Sequence, residues 1–447
     1  MGNQEASGSI ESLLRSGLCN GCGTCVGVCP ESAITGRFEN LSCEPYSEID
    51  KGQCTCCNSC MNACPITSLA FGGVNVESGK LSHVSLIGGY KRCYMGFSMN
   101  EMIRFNSSSG GLVTSLLIFA LESGLIDGAL VTRMKTGSPF QPEPFVARTK
   151  SEILESVGSK YCPVSLNTAI PEILKNGERI AVVGLPCHIR GLRLAESNNT
   201  ELRNRIALHL GLFCSHTTSL LGTAFLLRKL GVQANQVASI KYRTRGWPGG
   251  TEIELKNSRL IFVPNQSPMS RLAFGSMLFT PRGCLYCADM TAEMADLSFG
   301  DPWLSEVLEN EHRGKSIIIE RSDLGETMLE NARAKGVVNL EPLESKKVIE
   351  SQRTSIHFKK FNLNARLRFC RPKQISPCQG MGRMRKTDLS NLALAIPPIV
   401  LSGIGGDPLL KNLVLRLPSG LVGSCESIYS NIYSKLVSRD LDDGLSQ

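Results

Sequence analysis

Two cysteine runs near the start of the chain carry the clearest chemical signal in the sequence. Each run follows the spacing Cys-x2-Cys-x2-Cys-x3-Cys-Pro, which is typical of bacterial ferredoxins. Three thiolates of such a run bind one iron–sulfur cubane, and the fourth binds the neighbouring cubane. The spacing therefore predicts two 4Fe–4S clusters with crossed ligand sets. These sets are Cys19, Cys22, Cys25 and Cys64 for one cluster, and Cys54, Cys57, Cys60 and Cys29 for the other.

A zinc site or a disulfide framework is the alternative for these eight cysteines. A structural zinc ion takes four ligands, and nothing in its chemistry favours two identical four-cysteine runs. The chain has 447 residues and 19 cysteines, an odd number, whereas disulfide frameworks are typical of small secreted domains. The first twelve residues lack the basic start and the apolar core of a signal peptide. We therefore expect a cytoplasmic protein with reduced thiols.

Four further cysteines follow predicted strands or a tight turn. Cys187 comes shortly after the apolar residues 179–183, and Cys214 comes directly after residues 206–213. Cys284 and Cys287 form a separate Cys-x2-Cys turn. Because open parallel sheets bind ligands beyond the carboxyl ends of their strands, these four thiols can converge there. The spacing leaves two interpretations open: a third 4Fe–4S cluster, or two buried structural cysteines beside an unrelated zinc or redox pair.

Two polar segments are candidate cofactor contacts. Residues 107–111, with the sequence SSSGG, precede an apolar stretch that begins at Leu112, so they can present backbone N–H groups to a phosphate. A Ser/Gly helix cap without a ligand is the alternative, and the dinucleotide pattern GxGxxG is absent. Asp301 follows a predicted strand in residues 295–299. It either orients a cofactor or a proton, or forms a turn before Pro302.

The net charge of +8 is concentrated in one region. Residues 352–387 contain ten Lys or Arg and no Asp or Glu. This stretch is either a docking surface for an anionic partner or a solvated tail. We expect no nucleic acid partner, because no recognised binding motif accompanies the charges. The apolar residues 389–404 include two prolines and are too few to cross a bilayer, so any membrane association would be peripheral.

The length of the chain predicts two or three domains. We expect a two-cluster ferredoxin-type domain in residues 1–80, a larger domain in residues 81–354, and a basic then apolar extension in residues 355–447. In the larger domain, short runs of Val, Ile and Leu alternate with amphipathic stretches. That alternation is typical of a largely parallel sheet. The predicted fold class is α/β (α+β overall), with a bacterial-ferredoxin-like module followed by a mostly parallel α/β domain.

Several short segments, taken in chain order, resemble the β subunits of coenzyme F-420 (F420) hydrogenases and dehydrogenases. The resemblance covers roughly residues 88–352, and larger members of that family also carry a ferredoxin-like front end. Two of the segments, residues 241–249 and 295–303, are closer to a broad branch of relatives whose electron partner is not established, which leaves the coenzyme open. The matching segments are residues 107–111, 158–161, 184–188, 211–214, 242–249, 284–287 and 295–303.

The resemblance implies that the α/β domain is a flavin-binding domain, with an FAD beside an iron–sulfur cluster. It implies that Cys187, Cys214, Cys284 and Cys287 are the ligands of that cluster. It also implies FAD phosphate contacts at Ser108, Ser109, Gly110 and Gly111. Lys160, Arg243 and Arg245 become candidates for anionic groups on FAD or on the deazaflavin coenzyme, with solvated surface cations as the alternative.

These features favour an oxidoreductase. We expect a hydride to pass between reduced coenzyme F-420 and FAD, and single electrons to pass through the clusters to a redox partner protein or other subunits of a complex. Two alternatives remain. One is a ferredoxin-dependent reductase of an organic substrate that uses the same cofactors, and the other is a non-catalytic electron-relay subunit. The sequence assigns no catalytic residue.

Overall fold

The structure is a computed structural model that describes residues 9–37, 46–67, 86–369 and 389–406, together with Val437. The predicted domain boundary at residue 80 lies outside the described residues, and so does the part of the basic stretch that follows residue 369.

The strands in chain order are β1 (Ile34–Arg37), β2 (Tyr46–Ile49), β3 (Arg92–Ser98), β4 (Gly128–Met134), β5 (Pro142–Ala147), β6 (Ile180–Gly184), β7 (Ile206–Leu212), β8 (Val237–Thr244), β9 (Gly250–Leu255), β10 (Leu260–Pro264), β11 (Leu297–Gly300), β12 (Ser316–Glu320) and β13 (Val338–Pro342).

An eight-stranded mixed sheet forms the centre of the protein, in the order β13-β3-β12-β11-β7-β6-β4-β5. The four strands β11, β7, β6 and β4 are parallel neighbours. The strands that flank them on both sides pair antiparallel. The predicted α/β class is confirmed, and its parallel character resides in the centre of the sheet. The antiparallel flanks are a feature that the sequence pattern did not reveal.

Helices cover both faces of this sheet. Along β4, Leu130 packs with the helix Pro186–Asn198, whereas its neighbours Ala129 and Val131 pack with the helix Leu112–Glu122. Successive strand residues point to opposite faces, so an apolar run such as this one is buried on both sides.

The other helices are Ile10–Arg15, Thr24–Gly27, Ser59–Asn62, Glu101–Asn106, Lys150–Glu155, Ile170–Lys175, Thr200–Arg205, Leu220–Lys229, Pro268–Ser270, Ser305–Asn310, Asp323–Ala334, Ser345–Ser351, Arg353–Ile356, Leu363–Phe369 and Leu389–Gly406.

A smaller antiparallel sheet, β10-β9-β8, packs beside the central one. Its apolar face shares a core with Leu401 and Ile404 of the helix Leu389–Gly406. The hydroxyl of Ser402 on the same helix donates to the carbonyl of Thr280 (2.9 Å). Part of the apolar stretch predicted in residues 389–404 therefore packs on the protein itself. Among the helices that the structure describes, none combines the length and the apolar character needed to cross a membrane.

The carboxyl ends of five strands meet at one edge of the central sheet. Strands β4, β6, β7 and β11 are parallel, and β3 has the same direction because two antiparallel steps separate it from β11. The N–H of Ser98, at the end of β3, donates to the carbonyl of Gly110 (2.7 Å). Residues 107–111 therefore lie at the same edge as the loops after β6, β7 and β11. We call this edge the carboxyl edge.

A buried charge network ties together the elements that lead to this edge. His209 of β7 contacts Glu196 of the helix Pro186–Asn198 through Nε2 (2.7 Å), and its Nδ1 contacts Asp296 before β11 (3.2 Å). Burial alone would lower the pKa of His209, but the hydrogen bonds to Asp296 and Glu196 outweigh it and raise that pKa. Burial opposes ionisation of Asp296 as well, yet the hydrogen bonds from His209 hold its pKa at about 2. His209 therefore lies between two acidic side chains, and Arg193 contacts the same two at 3.3 and 3.4 Å.

We expect His209→Gln to lower the free energy of unfolding by about 3 kcal/mol, because the two carboxylates lose the cation between them and keep only the partly exposed Arg193. The folded-state pKa of His209 is raised, so its contribution is complete below pH ~6.5 and decreases as pH rises through the folded-state value. The difference between the wild type and the variant should therefore shrink with rising pH. Urea denaturation across pH measures it, with the exposed His312→Gln as the control. Equal losses for both variants would contradict the network.

Candidate functional site

Four predicted ligands line one cavity in the N-terminal module. Cys19, Cys22 and Cys25 come from the first run, and Cys64 reaches the same cavity from the end of the second run. We call this space the ferredoxin cavity. The N–H of Gly21 donates to the sulfur of Cys19 (3.3 Å). Burial raises the pKa of the Cys64 thiol to about 12, and a positive charge in the cavity would favour its ionised form.

The second ligand set is much more exposed. Cys60 is partly buried, and its pKa is raised by burial and by the neighbouring thiols of Cys57 and Cys29. The structure thus brings these three cysteines together. Cys54 and Cys57 are both exposed, and the backbone N–H of Cys54 donates to the carbonyl of Asp50 (3.1 Å). The two predicted cluster positions therefore differ in their access to solvent.

The second cysteine group also converges. Cys187 begins the helix after β6, Cys214 follows β7, and Cys284 and Cys287 lie at the turn Arg282–Tyr286. All four thiols line a single space at the carboxyl edge, which we call the sheet-edge cavity. Burial raises the pKa of Cys187 well above its ordinary value and that of Cys214 to about 12.

The cavities suit a cluster better than a single ion. Zinc requires all its sulfur ligands about 2.3 Å from one point. Among the residues that the structure describes, no three His, Cys, Asp or Glu side chains are close enough to hold one metal ion. A cubane presents four separate iron corners, so its thiolates stand farther apart. A donor set of four thiols, buried or partly buried, fits that larger group.

Sequence reasoning missed a buried lysine at the sheet-edge cavity. Lys359 has an exposure of 1%, lines the cavity and donates a hydrogen bond to the sulfur of Cys287. Its neighbour Lys360 is paired with Glu293, and Arg366 is also buried. Three of the ten cations assigned to a surface or a tail are therefore inside the protein. A run of basic residues in a sequence gives no sign of which of its members are buried.

His188 and Asn20 also line the sheet-edge cavity. His188 Nδ1 accepts from the N–H of Leu185 (3.1 Å), and Nε2 donates to the carbonyl of Val164 (2.9 Å). Burial lowers the pKa of His188 to about 4, so this ring is neutral and holds the loop before Cys187. Asn20 lines both cavities and is the residue between them.

The N-terminal module is fixed to the α/β domain by polar contacts beside the ferredoxin cavity. The N–H of Asn167 donates to the carbonyl of Cys22 (3.1 Å), and its side-chain amide donates to the hydroxyl of Thr24 (2.8 Å). The hydroxyl of Ser165 donates to the carbonyl of Gly21 (2.8 Å). These bonds hold the first cysteine run next to Cys187.

Arg243 forms hydrogen bonds with two of the predicted cofactor contacts, Ser108 and Asp301. Its buried guanidinium donates to Asp301 (3.0 Å), to the hydroxyl of Tyr161 (3.1 Å) and to the carbonyl of Ser108 (2.6 Å). Its Nε–H is buried without an acceptor among the described residues. The hydroxyl of Ser108 accepts two hydrogen bonds from Ser159, at 2.7 and 2.9 Å, which leaves its own proton as a donor. We call Ser108, Tyr161, Arg243 and Asp301 the arginine site.

The remaining predicted contacts have protein partners. The hydroxyl of Ser316 contacts the hydroxyl of Ser109 (2.7 Å) and accepts from the N–H of Gly110 (2.9 Å). Gly111 has a φ of +72°, which turns the chain into the helix Leu112–Glu122. Lys160 donates to three backbone carbonyls that follow the helix Lys150–Glu155, including that of Gly158 (2.9 Å).

The arginine site and the sheet-edge cavity are connected through one aromatic ring. Phe213 precedes Cys214, and its ring packs directly on the backbone of Gly300, next to Asp301. A Cβ on Gly300 would lie 2.0 Å from Phe213 Cδ2. Arg245, by contrast, pairs with Glu252 at the surface. Of the two arginines, only Arg243 joins the other predicted contacts.

Residues 93–171 and 177–346 match family models described as the N-terminal part and the C terminus of the coenzyme F420 hydrogenase/dehydrogenase beta subunit. Together these matches cover more than half of the chain. Residues 15–35, which hold the first cysteine run, match the 4Fe–4S binding domain.

Curated proteins with similar sequences are named for coenzyme F420. The chain is 28% identical over 275 residues to coenzyme F420 hydrogenase subunit beta of Methanothermobacter thermautotrophicus, covering 59% of this chain and 88% of that protein. It is 28% identical over 359 residues to coenzyme F420-dependent sulfite reductase of Methanocaldococcus jannaschii, covering 77% of this chain and 50% of that protein. A chain of the F420-reducing nickel–iron hydrogenase complex from Methanosarcina barkeri has a TM-score of 0.52 at 22% identity, covering 65% of this chain and 97% of that one. At that identity, the likeness shows a shared fold.

We expect Gly27→Ala to lower the free energy of unfolding by about 1–3 kcal/mol, because its Cβ would lie 2.0 Å from the carbonyl oxygen of Asn167. Helix propensity alone predicts the opposite sign, since Ala is favoured over Gly in a helix. Gly89→Ala is the control, because nothing lies within 4 Å of its Cβ. Anaerobic chemical denaturation measures both variants. A stabilised Gly27→Ala variant would show that the module is not packed on Asn167.

Proposed function

The chain belongs to the coenzyme F420 hydrogenase/dehydrogenase beta subunit family, and on that premise we propose that it is an iron–sulfur flavoprotein. In this proposal it passes electrons between reduced coenzyme F420 and a redox partner protein, using FAD and three 4Fe–4S clusters. The observation that supports it best is the convergence of Cys187, Cys214, Cys284 and Cys287 on one cavity beside the ferredoxin cavity. A bound flavin exchanges a hydride and single electrons, and clusters accept single electrons.

The residues of the sheet-edge cavity fit a cluster that is shielded from water. Its thiols come from three separate loops at the carboxyl edge, and burial raises the pKa values of Cys187, Cys214 and Cys284. Lys359 supplies a positive charge beside them. In our proposal these thiols hold the third cluster, and His188 keeps the loop before Cys187 in place.

The arginine site is where this chain would hold the anionic part of FAD. Arg243 has an unused Nε–H, and the hydroxyl of Ser108 accepts both bonds from Ser159 and so keeps its proton for donation. Backbone N–H groups where the helix Leu112–Glu122 begins add a favourable dipole for an anion. Asp301 orients Arg243 through their ion pair. Lys160 would have to release backbone carbonyls before it could bind an anion, so it contributes least.

The order of the sites supports a linear route for electrons. Phe213 lies between the arginine site and Cys214, and Asn20 lies between the sheet-edge cavity and the ferredoxin cavity. The second ferredoxin ligand set, with Cys54 and Cys57 exposed, is the end of the route that a partner can reach. We propose that a partner protein or another subunit docks there.

We expect the wild-type chain, purified anaerobically, to contain about twelve irons. Cys187→Ser should contain about four fewer, because one of four cluster ligands is lost, while the absorbance of the N-terminal clusters is retained. Cys93→Ala is the control, since Cys93 is buried in β3 and lies in neither cavity. Iron and sulfide analysis measures the difference. A wild-type chain with about eight irons would overturn the third cluster.

We expect about one FAD per chain and prompt bleaching of flavin absorbance when reduced coenzyme F420 is added. Arg243→Met should lower the FAD content at least tenfold, because Arg243 is central to the arginine site. Arg245→Met should retain FAD, because Arg245 pairs with Glu252 at the surface. Circular dichroism confirms that both variants are folded.

The bleaching experiment also distinguishes the alternatives. FAD without bleaching by reduced coenzyme F420 would favour a ferredoxin-dependent reductase of an organic substrate. A folded wild-type chain without flavin would leave only an electron-relay subunit.

A further inference from the structure

A short segment after the family-matched region completes the sheet-edge cavity. The C-terminal family match ends at residue 346, and residues 353–369 then pack back on the cysteine turn. Lys359 lies on a π-helical turn, His357–Phe361, within this segment. Such turns are rare and are frequent at functional sites. This part of the chain therefore adds side chains to the cavity that the family match does not include.

Two charged residues line the sheet-edge cavity, Asp289 and Lys359, and Lys359 is the cation. It is buried, with an exposure of 1%, and donates to the sulfur of Cys287. The thiols of Cys214 and Cys284 also act on its charge. The carboxylate of Asp289 accepts from the N–H of Glu293 (3.0 Å). The positive charge of Lys359 therefore lies beside the thiols of Cys214, Cys284 and Cys287.

The adjacent lysine has a different environment. Lys360 has a side-chain exposure of 3% and forms an ion pair with Glu293. Both lysines belong to the same π-helical turn and have buried side chains, but only Lys359 is among the residues that line the cavity. Lys360 is therefore an internal control for the removal of one buried cation from this turn.

Arg366 holds the cysteine turn against this segment. Its Nε donates to the carbonyl of Leu285 (2.7 Å), which lies between Cys284 and Cys287. Its guanidinium stacks on the ring of Phe358 at 3.8 Å, next to Lys359 in the chain. The position of Lys359 relative to the thiols is thus fixed by packing and by a hydrogen bond, rather than by a flexible surface contact.

We infer that Lys359 is the fixed counter-charge of the sheet-edge cavity and raises the midpoint potential of the cluster held there. The inference rests on the proposed function, in which Cys187, Cys214, Cys284 and Cys287 ligate a third cluster. A cluster with four thiolates is an anion, and it becomes more negative when it takes one electron. A nearby cation stabilises the reduced form more than the oxidised form, and weak screening in the interior strengthens this effect.

The test is a redox titration of the full chain with dithionite and mediator dyes, followed by electron paramagnetic resonance. The Cys187→Ser variant identifies the signal of the third cluster, because that signal is absent from it. In Lys359→Met the equilibrium constant for one-electron reduction of that cluster should fall at least tenfold, or about 59 mV. The other two clusters should change less than threefold.

Two further variants separate charge from packing. Lys360→Met should leave the third cluster within threefold of the wild type, and Lys359→Arg should do the same because it keeps the cation. An unchanged midpoint in Lys359→Met with full iron content would overturn the inference. An equal shift in Lys360→Met would also overturn it, because the effect would not be specific to the cavity.

If Lys359→Met loses about four irons, the Lys359→Arg variant shows whether the cause is the lost charge or the lost packing. Recovery of iron and midpoint in Lys359→Arg supports the counter-charge, whereas loss in both variants shows a packing role and overturns it. The titration uses no coenzyme F420, so its outcome is independent of the hydride donor. A wild-type chain with about eight irons would instead refute the third cluster itself.

Discussion

Close backbone contact between the ferredoxin module and the α/β domain is the constraint on which the rest of the structure depends. Three glycines make it possible, because a Cβ on Gly27, Gly191 or Gly283 would lie 2.0–2.2 Å from an oxygen on the other side of the contact. Asn167 and Ser165 add hydrogen bonds to the first cysteine run. The contact brings Cys22 near Cys187 and leaves Asn20 as the partition between two cavities. Any loosening of this contact would separate the two cavities and lengthen the electron route that we propose.

Buried charge is the second organising feature, and each instance is compensated locally. His209 lies between two carboxylates, and Arg243 lies between a carboxylate, a phenol and a carbonyl. The sheet-edge cavity follows the same principle with Lys359 facing thiols. Burying an uncompensated charge costs several kcal/mol, so these partners are required for the fold as much as for the chemistry.

The sequence predicted the elements whose signals are local. Strands β6, β7 and β11 lie close to the apolar runs that predicted them, and the helix at Leu112 begins as expected. The antiparallel flanks could not be predicted, because strand direction depends on long-range pairing that apolar periodicity does not record. Spacing alone left the four cysteines at the carboxyl edge ambiguous, since their proximity depends on the folded sheet. Lys359 and Arg366 were assigned to a surface or a tail, because burial is a tertiary property. The structure also accounts for Lys160, whose three carbonyl partners make it a helix cap.

The position of residues 353–369 in the chain has a consequence for maturation. A ribosome completes every cysteine of the two cavities before it synthesises Lys359 and Arg366. Both cations lie against the cysteine turn, and Arg366 holds that turn by its Leu285 carbonyl. In a chain that binds the proposed third cluster, the four cysteines of the sheet-edge cavity are therefore available to iron and sulfide before this segment can pack on them. Lys359 is thus the last of the residues around the sheet-edge cavity to leave the ribosome.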